Sequence, residues 1–436
     1  MQQVSKSPIL VKPLLSKETL VKLTVFDNLA PALPFHFQFA YRNEKSEPNF
    51  MNATELMSAL EKTLSIFPIF AGRTVRNNEG EWFVDIRNET CGVPFTIAQA
   101  NFNLDDFDKG DYDQYPKDLY TQWKGIQDAP LQIQVTYFKC GGVLLVSELL
   151  HQLGDGDSHA QFLHRWSQLF RGESIDNIRY DCLNRNEVIK VSNKESPKSF
   201  PFWTQSEEHI NYEELYAKIG QCTAKMIKFS EKELQAMKKE AMSSIELSNA
   251  NSWISTNDAL CSHMWKLITK ARNLSNSQTS CLLHSCNVRK PLNIQKDYFG
   301  YLVMNGQSDR ISVESILHSN LSTLAPVSRH AVNRTMDKQH VQDFIDWISV
   351  SKKVRPSDMH VLFGTDVFAT SWVAFNLFDL KFSNESPIFV GEIPTILDGV
   401  FKIVEGVEKG SLVVQLSLWR EHMERLLKDP ELHKYQ

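Results

Sequence analysis

The chain has 436 residues, is 42% hydrophobic and 23% charged, and carries a formal net charge of -5. That length suffices for two or three domain-sized units with sizeable cores, and the slight negative charge argues against a nucleic-acid partner held by bulk electrostatics. The opening residues Met1 to Pro8 lack the apolar stretch of a signal peptide, and no apolar run is long enough to cross a bilayer. The seven cysteines, Cys91, Cys140, Cys182, Cys222, Cys261, Cys281 and Cys286, are scattered and odd in number, which reads as the reduced thiols of a cytoplasmic protein. Only Cys281 and Cys286 are close together, and no second Cys or His pair accompanies them, which argues against a zinc site.

In chain order, Pro8-Ile9-Leu10-Val11-Lys12-Pro13 reads as an edge strand, because prolines flank it. Phe35-His36-Phe37-Gln38-Phe39-Ala40-Tyr41 alternates, so a strand with Phe35, Phe37, Phe39 and Tyr41 on one face is expected. Asn52-Ala53-Thr54-Glu55 has the pattern of a capping box, opening a helix with Leu56, Leu60 and Leu64 on its apolar side. That helix ends before Phe67-Pro68-Ile69-Phe70-Ala71-Gly72-Arg73, and Trp82-Phe83-Val84-Asp85 forms a further strand. The acidic stretch from Asp105 to Asp118 reads as a solvated loop.

The stretch that concentrates chemistry is Leu149-Leu150-His151-Gln152-Leu153-Gly154-Asp155-Gly156-Asp157-Ser158. The apolar run Gly141 to Ser147 before it suits a buried strand. Phe162, Trp166 and Phe170 after it recur at helical spacing, with Asp157 or Ser158 as the expected cap. His151 therefore stands on a strand-to-helix junction, where a rigid scaffold can hold a base in a cleft. With an unperturbed pKa of about 6.5, a histidine is partly neutral at physiological pH and can take a proton from a hydroxyl or amine. Asp155, four residues on, is expected to hold the loop rather than react.

Residues Glu173 to Gln221 show little periodicity and read as a long crossover. Met226 to Phe229 then forms a short strand, and Ser230 with Glu233 makes a capping box for a helix carrying Leu234, Met237 and Met242. Ser255-Thr256-Asn257-Asp258 opens another helix, with Leu260, Met264, Trp265 and Ile268 along it. Leu282 to Arg289 reads as a strand entering a loop. Residues Gly399 to Val404 and Ser411 to Leu418 read as a hairpin around Glu408-Lys409-Gly410, followed by a final helix with Met423, Leu426 and Leu427.

His151-x-x-x-Asp155-Gly156, with Ser158, Phe162, Trp166 and Arg171-Gly172 behind it, resembles the signature of the BAHD acyltransferases, CoA-dependent enzymes that move an acyl group to an alcohol or amine. Pro68-x-x-Ala71-Gly72-Arg73 matches that family's Pro-x-x-Ala-Gly-Arg turn. Asn287-Val288-Arg289, Tyr298-Phe299-Gly300-Tyr301 and Thr370-Ser371-Trp372 resemble its Asn-x-Arg, Tyr-Phe-Gly-Asn and Thr-Ser-Trp elements. The resemblance runs nearly end to end. It implies that His151 is the catalytic base, that the Trp372 indole N–H helps to stabilise the tetrahedral oxyanion, and that Thr370 meets substrate. It also implies an interior pairing of Arg289 with Asp155 that fixes the loop, with Gly156 beside it. Relatives place hydroxyl side chains on the strand that here carries Phe35 and Phe37, so an apolar acceptor or a plugged pocket is implied. Ser255 and Asn257 correspond to a helix start near the CoA site, although N-capping accounts for the same residue types.

The chain departs from the family at its second signature, Asp-Phe-Gly-Trp-Gly. The aligned residues are Lys381-Phe382-Ser383-Asn384-Glu385, of which Phe382 alone is retained. The loss of two glycines puts CoA binding near this loop in doubt, and Lys381 is a candidate contact to a CoA phosphate.

The expectation is therefore an α/β protein, chloramphenicol-acetyltransferase-like, with two similar-sized lobes of mixed β-sheets and flanking helices and an active-site channel between them. Residues 1–195 would form the N-terminal lobe, 196–221 the crossover linker and 222–436 the C-terminal lobe. The expected activity is acyl-CoA-dependent transfer to a hydroxyl or amine of a small-molecule acceptor by a cytoplasmic monomer, with acyl-CoA as co-substrate and no metal or other cofactor. No covalent acyl-enzyme is expected, since no Ser or Cys sits beside His151 in a nucleophile motif. Two other readings stand beside it. A condensation-type enzyme fed by a carrier protein shares the His-x-x-x-Asp-Gly core, but usually has a His where this chain has Leu150. A non-catalytic binding or scaffold member of the family is the other, prompted by the degenerate second signature.

Overall fold

The computed structural model describes the chain apart from residues 1–3, 15–18, 32, 80, 88–90, 121–128, 176–181, 193–198, 201–202, 206–217, 219–220, 244–252, 295–297, 352–353, 357–363 and 394–396. Two six-stranded mixed sheets dominate it. The N-terminal sheet runs in the order Val4–Val11, Val93–Ala100, Leu131–Tyr137, Val143–Leu150, Pro34–Tyr41, Phe389–Gly391. The Pro8 strand is at its edge, as expected where one residue lacks an N–H. The C-terminal sheet runs Cys222–Phe229, Leu412–Trp419, Val400–Glu405, Val367–Ser371, Leu282–Asn287, Val303–Gln307. Its Val367–Ser371 strand pairs parallel with both neighbours, and the other pairings are antiparallel. The first strand there begins four residues before Met226, because pairing with Leu412–Trp419 continues back to Cys222.

Alternation along Pro34–Tyr41 puts Phe35, Phe37, Phe39 and Tyr41 into one core with Leu56, Leu60 and Leu64 of the Ala53–Ile66 helix and Phe162 and Trp166 of the Gly156–Phe170 helix. Asn52 caps the first of these helices by accepting from the N–H groups of Thr54 and Glu55. In the second half, the Glu231–Met242, Thr256–Ala271, Leu321–Thr335 and Arg420–Leu427 helices share a core with the C-terminal sheet, centred on Met264, Trp265, Phe401 and Leu416. Ser230 and Ser255 each close a full capping box, with Glu233 and Asp258 respectively.

The two halves interlock. Phe389–Gly391, from the second half, pairs antiparallel with Pro34–Tyr41 and completes the N-terminal sheet. The acidic stretch is not the solvated loop that its charge implied. Phe107, Tyr115 and Leu119 are buried against Ala40, Leu144 and Val146 on the sheet face away from the helices. Asp111 pairs with Lys225 at 2.6 Å, and Asp113 with Arg420 at 2.7 Å. These two charges meet cations of the other half, partners that composition cannot reveal. Most of the predicted crossover, 196–221, lies outside the described residues. Upstream of it, Arg185 is fully buried, pairs with Asp27 at 3.3 Å and donates to the Leu153 carbonyl at 2.6 Å. No described helix is long and apolar enough to cross a membrane.

Candidate active site

The strand Val143–Leu150 ends one residue before His151, and the chain turns before the Gly156–Phe170 helix begins. Asp155, rather than Asp157 or Ser158, is the N-cap. Its backbone is extended (φ -82°, ψ -178°), and its Oδ1 accepts the Ser158 N–H at 2.9 Å. The same carboxylate receives Arg289 in a two-pronged pair, Nη1 to Oδ2 at 2.7 Å and Nη2 to Oδ1 at 3.1 Å, and the Leu302 N–H at 3.0 Å. Arg289 also donates to the carbonyls of Tyr298 and Gly300 and to Ser158 Oγ. Both residues are buried. Burial disfavours the Asp155 charge, but Arg289 and the two backbone N–H groups outweigh it and hold the carboxyl below its ordinary pKa. The turn carrying His151 is thereby anchored to the strand-to-loop segment that carries Arg289.

The His151 ring stacks on Phe35 with centroids 4.2 Å apart and meets Tyr301 edge-on at 5.6 Å. Its backbone N–H donates to Leu33. Burial pushes its pKa down to about 4, only partly opposed by Asp155 and the Gly154 backbone. The ring is therefore neutral at physiological pH. Nδ1 is sealed from solvent, which leaves Nε2 as the nitrogen open to a substrate proton.

Trp372 follows the Val367–Ser371 strand and is 6% exposed. Phe37 packs edge-on against it at 4.7 Å, and Lys402 lies over its ring at 5.8 Å from the centroid. Phe37 is itself fully buried and stacked on His159 at 4.8 Å, whereas Phe35 is the strand residue in direct contact with the His151 ring. Gly156 lies beneath Phe375: a Cβ there would come within 2.8 Å of the Phe375 ring. Thus His151, Asp155, Gly156, Arg289, Phe35, Phe37 and Trp372 form one neighbourhood.

Thr370 and Asn257 line a separate cavity of about 210 Å³ with His284, Ser285, Asn287 and Ser371. Asn257 Oδ1 is buried there without a hydrogen-bond partner. Ser255 is committed to its cap, donating to Asp258 Oδ2 at 2.6 Å and accepting the Asp258 N–H at 3.1 Å. Lys381 is not among the residues lining this cavity, and its carbonyl accepts from Arg171. The retained Phe382 packs against Tyr41, Trp166 and Phe170, so this part of the altered signature serves the N-terminal core. A larger cleft of about 630 Å³ lies at the opposite ends of the parallel strands. It contains none of the predicted residues, and its arginines are paired: Arg272 with Asp398 at 2.7 Å and Arg310 with Asp366 at 2.9 Å.

Several residues of the neighbourhood carried no motif in the sequence. His159 Nε2 bonds Ser147 Oγ at 2.7 Å, and burial holds its pKa well below the ordinary value. Lys402 pairs with Glu392. The signal for Lys402 was a cation in the middle of an apolar strand, Val400-Phe401-Lys402-Ile403-Val404, which alternation alone assigns to an outward face.

The sequence model of the Transferase family matches residues 5–433. The chain belongs to that family, the BAHD acyltransferases. It is 25% identical to the shikimate O-hydroxycinnamoyltransferase of Nicotiana tabacum, covering 96% of this chain and 97% of that one. It is 26% identical to the rosmarinate synthase of Plectranthus scutellarioides, covering 97% and 98%. Among solved structures, TRI101 of F. graminearum complexed with coenzyme A and T-2 mycotoxin superposes with a TM-score of 0.79 at 16% identity, covering 96% of this chain and 99% of that one. Vinorine synthase superposes with a TM-score of 0.73 at 18% identity, covering 97% and 96%. The two-lobed α/β fold is the one these structures share.

Proposed function

We propose that the chain transfers an acyl group from acyl-CoA to the hydroxyl or amine of a small, largely apolar acceptor, with His151 as general base. The observation that carries this reading is a neutral, buried imidazole on a turn locked by the Arg289–Asp155 pair. Nε2 of His151 takes the acceptor proton, the oxygen or nitrogen attacks the thioester carbonyl, and the indole N–H of Trp372 donates to the oxyanion. Collapse breaks the C–S bond, and the CoA thiolate takes the proton back from His151. Thr370 meets the substrate from the 210 Å³ cavity that it lines. Asn257, with its unpartnered Oδ1 in the 210 Å³ cavity, meets the donor arm. The capping bonds leave Ser255 a smaller part, and Lys381 reaches a CoA phosphate only from outside that cavity. Phe35, stacked on the His151 ring, makes the acceptor side aromatic with Phe37 packed behind it, which favours a flat apolar acceptor. The protein acts as a cytoplasmic monomer with no metal or further cofactor, its lobes divided at 196–221.

The test is thiol release. Purified protein is incubated with a panel of acyl-CoAs, with hydroxycinnamoyl-CoA first because the Nicotiana tabacum relative is named for transfer of that group, and with mixed alcohols and amines. Acceptor-dependent release of CoA that falls at least about 100-fold in His151→Ala is expected. Release that persists in His151→Ala overturns the role of the base. Absence of both release and calorimetric CoA binding overturns the reading in favour of a carrier-fed or non-catalytic protein.

A further inference from the structure

Lys402 is a lysine in the protein interior that the mechanism above does not use. It lies on the Val400–Glu405 strand directly beside Thr370 in the parallel register. Its side chain is 12% exposed, and its ammonium contacts the carboxylate of Glu392, whose side chain is 1% exposed. The same ammonium sits over the Trp372 ring. Both halves of the chain hold Glu392 in place. Its N–H donates to Gln415 Oε1 at 3.0 Å, and its carbonyl accepts from Gln415 Nε2 at 2.6 Å and Gln38 Nε2 at 3.1 Å. Gln38 is in turn held by the Tyr115 hydroxyl at 2.7 Å.

Taking an ammonium and a carboxylate out of water costs several kcal/mol per ion, and a well-packed apolar pair of similar volume is often as stable or more so. Such a pair beside the reacting groups is therefore poorly explained by stability. A cation over an aromatic face is attracted to the ring and fixes its plane. It also draws electron density from the indole, which makes the N–H a stronger donor, and this polarisation acts through a low local dielectric.

We propose that Lys402, anchored by Glu392, is a positioning residue for Trp372 that holds the indole plane and strengthens its N–H toward the tetrahedral oxyanion. This rests on the acyl-transfer reading and on the role of Trp372 within it. Among the described residues, the charged and titratable groups that face Lys402 are Glu392, in contact, and His151, whose protonation the ammonium further disfavours. Burial lowers the pKa of Lys402 to about 7; a carboxylate in contact, here Glu392, favours the charged form. As pH rises, Lys402 loses its proton and the indole loses its cation, so kcat declines on the alkaline side, where a neutral His151 produces no change.

The experiment measures kcat and KM for acyl-CoA and acceptor from about pH 6 to about pH 10 in the wild type, Lys402→Met and Lys402→Arg. Lys402→Met is expected to lower kcat about 10-fold or more with both KM values unchanged, and to abolish the alkaline decline. Lys402→Arg, which keeps its proton over this range, is expected to retain most of kcat and to remove the decline. The Lys402→Met/Glu392→Gln variant removes the unpaired carboxylate and is expected to behave as Lys402→Met does, which separates the effect from misfolding. Wild-type kcat and an unchanged alkaline decline in the Met variants overturn the inference, as does a raised KM at unchanged kcat. Neither of those results touches the role of His151. Absence of transfer by the wild type overturns the acyl-transfer reading and this inference with it.

Discussion

Burial, more than any neighbouring charge, sets the protonation of His151. Its ring lies against Phe35 and Tyr301, and the carboxylate that would raise its pKa, Asp155, is spent on Arg289. With a pKa near 4, the ring is already neutral well below physiological pH. Activity is expected to hold level on acidification until about pH 5, whereas a solvated histidine would begin to fail near pH 6.5. The kcat/KM profile for the acyl-CoA checks this. An acid limb centred near the ordinary histidine value would show that the ring is hydrated in the working enzyme. The residue identities of His151, Asp155, Gly156, Arg289 and Trp372 were legible in the sequence because each falls within a spaced motif. Lys402, Glu392, His159 and Tyr301 were assigned no role there, because their meaning comes from neighbours far away in the chain.

At the scale of elements, the proposed site turns on the junction between the Val143–Leu150 strand and the Gly156–Phe170 helix. One aspartate both caps the helix and receives the arginine, so helix start and loop position are coupled. Gly156 lets the ring of Phe375 approach this first turn, and Phe375 in turn flanks Trp372. A Gly156→Ala substitution places a Cβ within 2.8 Å of that ring. It is expected to cost about 1–3 kcal/mol of stability and to lower kcat by displacing the Phe375–Trp372 pair. Phe375→Leu in the same chain makes room and is expected to recover much of the stability, measured by urea denaturation. The capping boxes at Ser230 and Ser255 were legible because Ser followed three residues later by an acid is a local device. The cap at Asp155 was misplaced by two or three residues, since Asp155, Asp157 and Ser158 all fit an N-cap by composition, and only the arginine shows which one turns inward.

For the whole molecule, buried neutral histidines determine the response to acid. His151, His263 and His284 are each lowered by burial to about 4, and burial also holds His159 well below its ordinary value. In the unfolded chain each returns to about 6.5, so the unfolded state binds more protons as pH falls below that value. Stability is therefore present in full above about pH 6.5 and declines on acidification toward pH 4, by up to about 1.4 kcal/mol per histidine for each pH unit. The urea midpoint between about pH 7.5 and about pH 4.5 measures it; a midpoint that stays constant would show that these rings are hydrated. The halves that must come apart are joined by the Phe389–Gly391 strand, by the Asp111–Lys225 and Asp113–Arg420 pairs and by the Gln38–Glu392–Gln415 contacts.

Local periodicity and spaced motifs were enough to read the alternation of the Pro34–Tyr41 strand, the strand-turn-helix around His151, the final hairpin and the family itself. These follow from contacts a few residues apart or from residue types that a given turn requires. Long-range contacts determined the rest. The acidic stretch became a clasp because Lys225 and Arg420 face it. A short strand near the C-terminus joined the first sheet because Pro34–Tyr41 offered an open edge. A lysine in an apolar strand turned inward because Glu392, ten residues earlier in the chain and just past the strand that joins the first sheet, meets it beside Trp372. Charge and edge pairing act through space between distant segments, and one-dimensional spacing carries no record of which segments will meet.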